Sequence, residues 1–234
     1  LVKKNAVVKN DGTTEPPKPL KITLLEKANA VGNHILSGAV INPASLRELL
    51  PDIAEKDLPF ETPVLKEDIL FLTKKSFFVL PFHPPYMHNK GNYIATLGKV
   101  ARWLAEIAEK KGVQIFSGFS AHEFLYENGK VVGIRTGASG IDKHGAPMAN
   151  YQPPTDVRAK ITILAEGTRG HLTKTLVKKF NLDKDRNPQV YSLGVKEVWE
   201  IPEGAFEAGK VVHTMGFPLE LDQFGGSFIY GLNR

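Results

Sequence analysis

The chain has 234 residues, 42% hydrophobic and 24% charged, which are values of a globular protein long enough for one large domain or two small ones. Its net charge of +5 comes from scattered lysines: a solvated surface, or one drawn to an anionic membrane or an acidic protein, with no nucleic-acid motif. Cysteine is absent, which excludes disulfides, a Cys-ligated zinc and an iron–sulfur cluster within this chain, and the seven histidines show no metal-ligand spacing.

Residues 5–19 combine Gly, Pro and charge, and read as a surface loop. Residues 21–26 read as a strand with Ile22, Leu24 and Leu25 as buried candidates, ending in the carboxylate of Glu26. Residues 32–42 are a loop containing Gly32 and Gly38. A short helix starts at Pro43 or Ala44 and ends at Leu50, with Asn42 as N-cap and Pro43 in the first position. Residues 51–67 are irregular. Residues 69–80 form one or two strands, and the Pro-rich loop 81–87 carries large apolar side chains that either pack on a neighbour or touch lipid.

The clearest helix is 96–111, where Leu97, Val100, Ala101, Leu104, Ile107 and Ala108 recur at helical spacing before Gly112. A strand at 113–116 precedes a hairpin of 119–126 and 130–135 across Asn128-Gly129. Residues 137–154 read as a loop, 157–165 as a strand and 170–180 as a helix. Residues 190–199, 210–215 and 227–232 read as strands. This order argues an α/β nucleotide-binding unit feeding into an α+β unit near residue 188.

Three stretches could carry chemistry. Glu26, at the end of a strand, offers two acceptor oxygens to the vicinal hydroxyls of a ribose, or simply ends a strand. Ala165-Glu166-Gly167 runs from a strand toward a helix N-terminus, where small residues admit a cofactor and N–H groups face anionic oxygens. Gly225-Gly226, flanked by Phe224 and Phe228, leaves backbone polar groups beside an apolar wall, as a bulge or as a site for a flat ligand with carbonyls. No nucleophile elbow and no acid–base pair is found, so no catalytic side chain is assigned and a bound cofactor would carry the chemistry.

Residues 25–43, Gly91-Asn92-Tyr93-Ile94, Ile163-Leu164-Ala165-Glu166-Gly167 with Gly170-His171-Leu172, and His213 to Leu219 with Phe224 to Phe228 together resemble the electron-transfer flavoprotein–ubiquinone oxidoreductase family. The resemblance runs in order from about residue 20 to 234. It implies a glutathione-reductase-like, Rossmann-type FAD-binding domain, here incomplete (residues 1–187), joined to an α+β ubiquinone-binding domain beginning at 188. It implies electron transfer from reduced electron-transfer flavoprotein to ubiquinone through FAD. The family's 4Fe-4S cluster and glycine-rich phosphate turn would lie outside this chain, which reads as an internal fragment.

The resemblance also implies a monotopic protein on the matrix side of the mitochondrial inner membrane, or peripheral on the cytoplasmic membrane if not eukaryotic. FAD would be held by Glu26, Lys27, His34, Ser37, Gly38, Ala165, Glu166 and Gly167, and the quinone by Gly225 and Gly226. Leu49, Leu50, Ile53, Leu58 and Phe60, in segment 45–64, would face the membrane, and loop 81–87 the quinone or membrane side. Alternatives are another FAD-dependent oxidoreductase of the same fold, such as a prenyl-group reductase, or a catalytically incompetent membrane-surface fragment.

Overall fold

The computed structural model describes residues 7–8, 14–15, 20–36, 38–220 and 222–232. Numbered along the chain, the first half holds β1 (Val7–Val8), β2 (Thr14–Glu15), β3 (Thr23–Glu26), β4 (Ala39–Ile41), α1 (Ala44–Leu49), β5 (Thr62–Pro63), β6 (Lys66–Leu72), β7 (Phe77–Val79), β8 (Tyr93–Ala95), α2 (Leu97–Lys110) and β9 (Gln114–Ser117). The second half holds β10 (Ala121–Glu127), β11 (Lys130–Thr136), β12 (Ser139–Ile141), β13 (Pro147–Gln152), β14 (Asp156–Arg158), α3 (His171–Phe180), β15 (Lys210–Gly216) and β16 (Ser227–Tyr230). The architecture is mixed α/β, and the chain divides into two units, each drawn from two stretches.

The first unit comprises residues 1–27 and 105–162. Here β3 runs parallel to β9, from Thr23 opposite Gln114 to Glu26 opposite Ser117. A separate antiparallel sheet has the order β10-β11-β14. Its first turn is Asn128 (φ 49°) and Gly129 (φ 76°), both left-handed as a two-residue hairpin turn of this hand requires.

The second unit comprises residues 28–104 and 163–234. Its main sheet has the order β16-β15-β6-β7, with β15 parallel to β6 from Lys210 opposite Lys66 to Gly216 opposite Leu72. The edge strands β7 and β16 run antiparallel to their neighbours. A smaller sheet, β4-β8-β5, contributes Ile94 to a core with Val64 and Val211, against which Val40, Tyr230 and Leu232 pack. The Asn42 side chain accepts a hydrogen bond from Ala44 N at 2.9 Å, but the N-cap position of α1 is held by Pro43, one residue later than expected, and Ala44 is the first helical residue. Asn181, in the left-handed region at φ 52°, ends α3.

Several expectations are overturned. Ile22 and Leu24 are exposed rather than buried, because a parallel pair buries its faces only under further layers and β3 pairs with β9 alone among the described residues. The expected strand 157–165 shrinks to β14, and Ile161 and Ile163 are exposed. Residues 190–199 form no strand, and Val190, Leu193 and Val195 are exposed. Apolar β-formers become strands only where a ladder partner is available, and neither run finds one among the described residues.

Conversely, residues 137–154 contain the β12–β13 hairpin rather than only loop. The Asp142 side chain accepts from His144 N and Ala146 N, both at 2.8 Å, and closes its turn. Loop 32–42 ends in β4, and the expected loop 5–19 includes the antiparallel β1–β2 pair. Phe82 and Tyr86 are 61% and 86% exposed, so loop 81–87 does not pack them on a neighbour.

Candidate functional site

A cleft of about 510 Å³ opens in the second unit beside the carboxyl ends of β6 and β15. Open α/β sheets place ligands at such strand ends. Phe71, Met215, Phe217 and Leu219 give it apolar walls, and Thr73, Glu220 and Gln223 give it polar ones. The backbone turns here through Phe217 N to Leu72 O at 2.9 Å and Leu219 N to Gly216 O at 3.0 Å. Gly225 lies on the wall, and its N–H makes no hydrogen bond among the described residues. A Cβ on Gly225 would meet only the end of Leu219, at 2.8 Å from Cδ1. A Cβ on Gly226 would fall on the Thr214 carbonyl oxygen, so Gly226 is required for β16 to approach β15.

Strand alternation places Val211, His213 and Met215 on one face of β15, with Glu67, Ile69 and Phe71 opposite them on β6. Just short of the cleft this face carries a polar cluster. Asn89 donates to Glu67 Oε1 through N at 2.8 Å and Nδ2 at 2.7 Å, and through Nδ2 to Met87 O at 3.0 Å. His213 Nε2 lies 3.3 Å from Asn89 Nδ2, and its ring lies 4.8 Å from that of Phe228. Burial lowers the His213 pKa from its ordinary 6.5; nearby Glu67 opposes the shift and His83 adds to it.

The residues expected to hold FAD fall in both units. In the first, Glu26 ends β3 half-buried, its carbonyl accepting from Phe119 N at 3.0 Å, and Lys27 is exposed. In the second, His34 is exposed and Gly38 is buried at φ 79°; Ser37 lies outside the described residues. Ala165, Glu166 and Gly167 are exposed, and Gly167 turns at φ 76° into open space.

The Glu166 carboxylate accepts from Leu172 N at 3.1 Å, Thr173 N at 2.7 Å and Thr173 Oγ1 at 2.7 Å. It therefore occupies donors at the start of α3 that were expected to face a ligand's anionic oxygens. Partial burial pushes its pKa up, but these hydrogen bonds outweigh burial and the net shift is downward.

Of the five residues expected at a membrane, Leu49 is exposed, Leu50, Ile53 and Phe60 are half-buried, and Leu58 is buried. Phe60 stacks on Tyr93 with ring centres 4.9 Å apart. The second unit instead exposes Phe77, Phe78 and Val79 on edge strand β7, followed by Phe82 and Tyr86. Among the described residues no helix is long and apolar enough to cross a membrane, and no group of His, Asp and Glu is arranged to hold a metal. Sequence reasoning singled out the stretch from Phe217 to Tyr230, with Gly225, but missed Phe71 and Thr73. The long-range pairing of β6 with β15 brings those two in, and no local pattern announces it.

A family model described as "ETF-QO, ubiquinone-binding" matches residues 191–234, which include β15, β16 and the glycine pair. The chain is 48% identical over 214 residues to the mitochondrial electron transfer flavoprotein-ubiquinone oxidoreductase of Dictyostelium discoideum, covering 91% of this chain and 35% of that protein. It is 47% identical over 225 residues to the Pseudomonas aeruginosa protein of the same name (94% and 41%) and 44% identical over 219 residues to the human mitochondrial one (93% and 36%). The chain thus spans well under half the length of these relatives. Among solved structures, the myxobacterial chondrochloren halogenase CndH, described as a variant of FAD-dependent halogenases, aligns with a TM-score of 0.42 and 17% identity, over 66% of this chain and 33% of that one.

Proposed function

The chain is a homologue of the electron transfer flavoprotein–ubiquinone oxidoreductases, and from that premise we propose that it carries the quinone-facing part and a share of the FAD site of such an enzyme. The whole protein would take electrons from reduced electron-transfer flavoprotein and pass them through FAD to ubiquinone. The carrying observation is the cleft at the ends of β6 and β15, with apolar walls and a Gly225 N–H that makes no hydrogen bond among the described residues; its Met215 to Gly225 side lies in the stretch matched by the quinone-binding family model. A benzoquinone head is flat, apolar and edged by two carbonyl acceptors, and that wall suits it. In this reading residues 188–234 begin the quinone-binding domain, and residues 1–187 belong to a Rossmann-type FAD-binding domain.

The residues present fit FAD in part. Glu26, ending a strand with a parallel neighbour, suits the adenosine ribose. Gly167 suits close backbone approach, having open space beside it, whereas at Gly38, also of the proposed set, the space left by the missing Cβ is filled by the Tyr230 ring. Lys27, His34, Ser37, Ala165 and Glu166 belong to the same proposed set. With Glu166 already capping α3, contact with FAD here would run through the Gly167 backbone rather than the helix donors. FAD, when bound, supplies the electron-carrying chemistry that no side chain here provides. A 4Fe-4S cluster would need thiolates from elsewhere in the protein, since this chain has no cysteine.

The membrane role finds its best support in the exposed β7 edge and loop, with Leu49, Leu50, Ile53, Leu58 and Phe60 as the other proposed contacts. A surface-bound place on the mitochondrial inner membrane belongs to the same reading; the relatives named mitochondrial support the organelle.

Titration of the chain with 2,3-dimethoxy-5-methyl-1,4-benzoquinone, followed by calorimetry, tests the cleft. Saturable binding weakened by Gly225→Ala is expected, and binding indifferent to that change refutes the assignment. Flotation with anionic vesicles tests the surface. Phe77→Asp with Phe78→Asp should abolish flotation, and an unchanged bound fraction would remove β7 from the membrane contact.

A further inference from the structure

Three of the chain's seven histidines converge near the cleft, within the second unit. His88 is exposed, and its ring lies 5.8 Å from that of His83, centre to centre. His83 is half-buried, and its Nε2 is covered and makes no hydrogen bond among the described residues. His213, half-buried on β15, is reached by the charges of His83 and of Glu67 on β6. The histidines therefore step from solvent to the sheet face on which Met215 and Phe71 stand opposite each other in the cleft wall.

The hydrogen bonds around His213 leave it free to carry a proton. Asn89 Nδ2 has two hydrogens, and both are spent, on Glu67 Oε1 and Met87 O. None is left for His213 Nε2, whose lone pair can take a proton. A proton there faces the Asn89 amide hydrogens, and burial lowers the His213 pKa, so the imidazolium passes its proton on rather than holding it. Met215 is the next residue on this face of β15, roughly 7 Å away at the usual strand rise. One bridging water spans a gap of that size. The cleft needs such a supply, because among the described residues the exposed Glu220 is the one ionisable side chain lining it.

We propose that His88, His83 and His213 form a proton route between solvent and the β15 side of the cleft. Reduction of a quinone to its hydroquinone takes up two electrons and two protons. For each proton, His88 takes it from water and hands it through His83 to His213. The His213 N–H bond then breaks as an O–H bond forms on the ring oxygen, with one water between them. Oxidation of the hydroquinone runs the same steps in reverse, and His213 is then the base. The proposal rests on the electron-transfer reading, which supplies the two electrons.

The test uses the 234-residue chain in excess over the hydroquinone of 2,3-dimethoxy-5-methyl-1,4-benzoquinone, with binding first measured by equilibrium dialysis. Ferricyanide, which accepts electrons but no protons, then oxidises the bound ring in a stopped-flow mixer. Each hydroquinone gives two electrons to two ferricyanides and two protons to solvent. The parent rate should rise with pH through the folded His213 pKa, which lies below 6.5, and level off above it. His213→Ala should slow oxidation about tenfold or more and lose that inflection, and added imidazole should restore the rate. His83→Gln and His88→Gln should each slow it about threefold or more with binding unchanged.

If His213→Ala fails to fold, the other two variants decide the matter. Unchanged oxidation of bound hydroquinone across the variants overturns the route and leaves the cleft standing. Slowing that imidazole does not restore assigns His213 a structural role and also overturns it, as does slowing confined to His213. Glu220→Gln is the control: if it alone slows oxidation, the protons leave through the cleft mouth and the route falls. No binding of the hydroquinone by the parent chain overturns the cleft reading and the route together.

Discussion

The two adjacent glycines at the cleft should respond oppositely to one added methyl group. In Gly226→Ala the new Cβ lands on the Thr214 carbonyl oxygen, a backbone atom held in the β15 ladder. Relief requires β16 to move away by about 1 Å, and overpacking of that kind costs about 1–3 kcal/mol. The same movement strains the bonds that tie the strands through Thr214 Oγ1, with Ser227 N at 3.1 Å and Ser227 Oγ at 2.5 Å, each contributing about 1 kcal/mol. A loss of about 2–3 kcal/mol is expected in all.

In Gly225→Ala the Cβ meets a Leu219 methyl, which can rotate away, and alanine also lowers the entropy of the unfolded chain. Its stability should stay within about 0.5 kcal/mol of the parent. Urea unfolding followed by circular dichroism reads the difference. At a slope of about 2 kcal/mol per molar, Gly226→Ala should unfold about 1 M earlier than the parent. Quinone binding should fall in Gly225→Ala, whose methyl occupies the cleft. Equal midpoints for the two variants would refute the assignment of Gly226 to strand approach and Gly225 to the cleft wall.

Glu166→Ala removes the acceptor for Leu172 N, Thr173 N and Thr173 Oγ1, and a lost helix cap costs about 0.5–2 kcal/mol, readable in the same urea experiment. The Glu166 pKa is lowered in the folded state, so its contribution is present above the ordinary value of 4.5 and lost as pH falls through the lowered one; Glu166→Gln should flatten that acid limb. For His213 burial depresses the folded pKa, so the unfolded chain binds the proton first as pH falls. Stability from this group is complete above 6.5 and declines as pH drops through the folded value. The thermal midpoint should fall between about pH 7 and 5.5. The fall should be shallower in His213→Gln, and an identical slope would mean that His213 does not titrate as argued.

What the sequence made legible was local. The Asn128-Gly129 turn could be named because two adjacent positive φ angles suit those residues, and α2 because its apolar residues return every three to four positions. Glu26 could be placed at a strand end because Thr23 to Glu26 needs only one parallel neighbour to be a strand. Residues 157–165 and 190–199 have the same β-forming composition and fail to form long strands, because ladder partners are a property of the whole chain. The glycine pair was visible as Gly225-Gly226, but its two members do different work. One leaves an N–H on a cleft wall, and the other lets two strands touch.

The same reasoning explains why Lys196 escaped notice. A lysine in an alternating apolar run reads as the solvent side of a strand. Here the run is not a strand, and the lysine is its one half-buried residue, turned toward Gly38 and Tyr230. A charged side chain gives up hydration only where the fold supplies acceptors or an aromatic face, and both are supplied by segments that the local sequence does not contain. Position in the run therefore could not assign Lys196. Its partners do: the Gly38 carbonyl accepts from its ammonium and the Tyr230 ring lies beneath it, while the apolar residues Val190, Leu193, Val195 and Val198 of the run stay exposed.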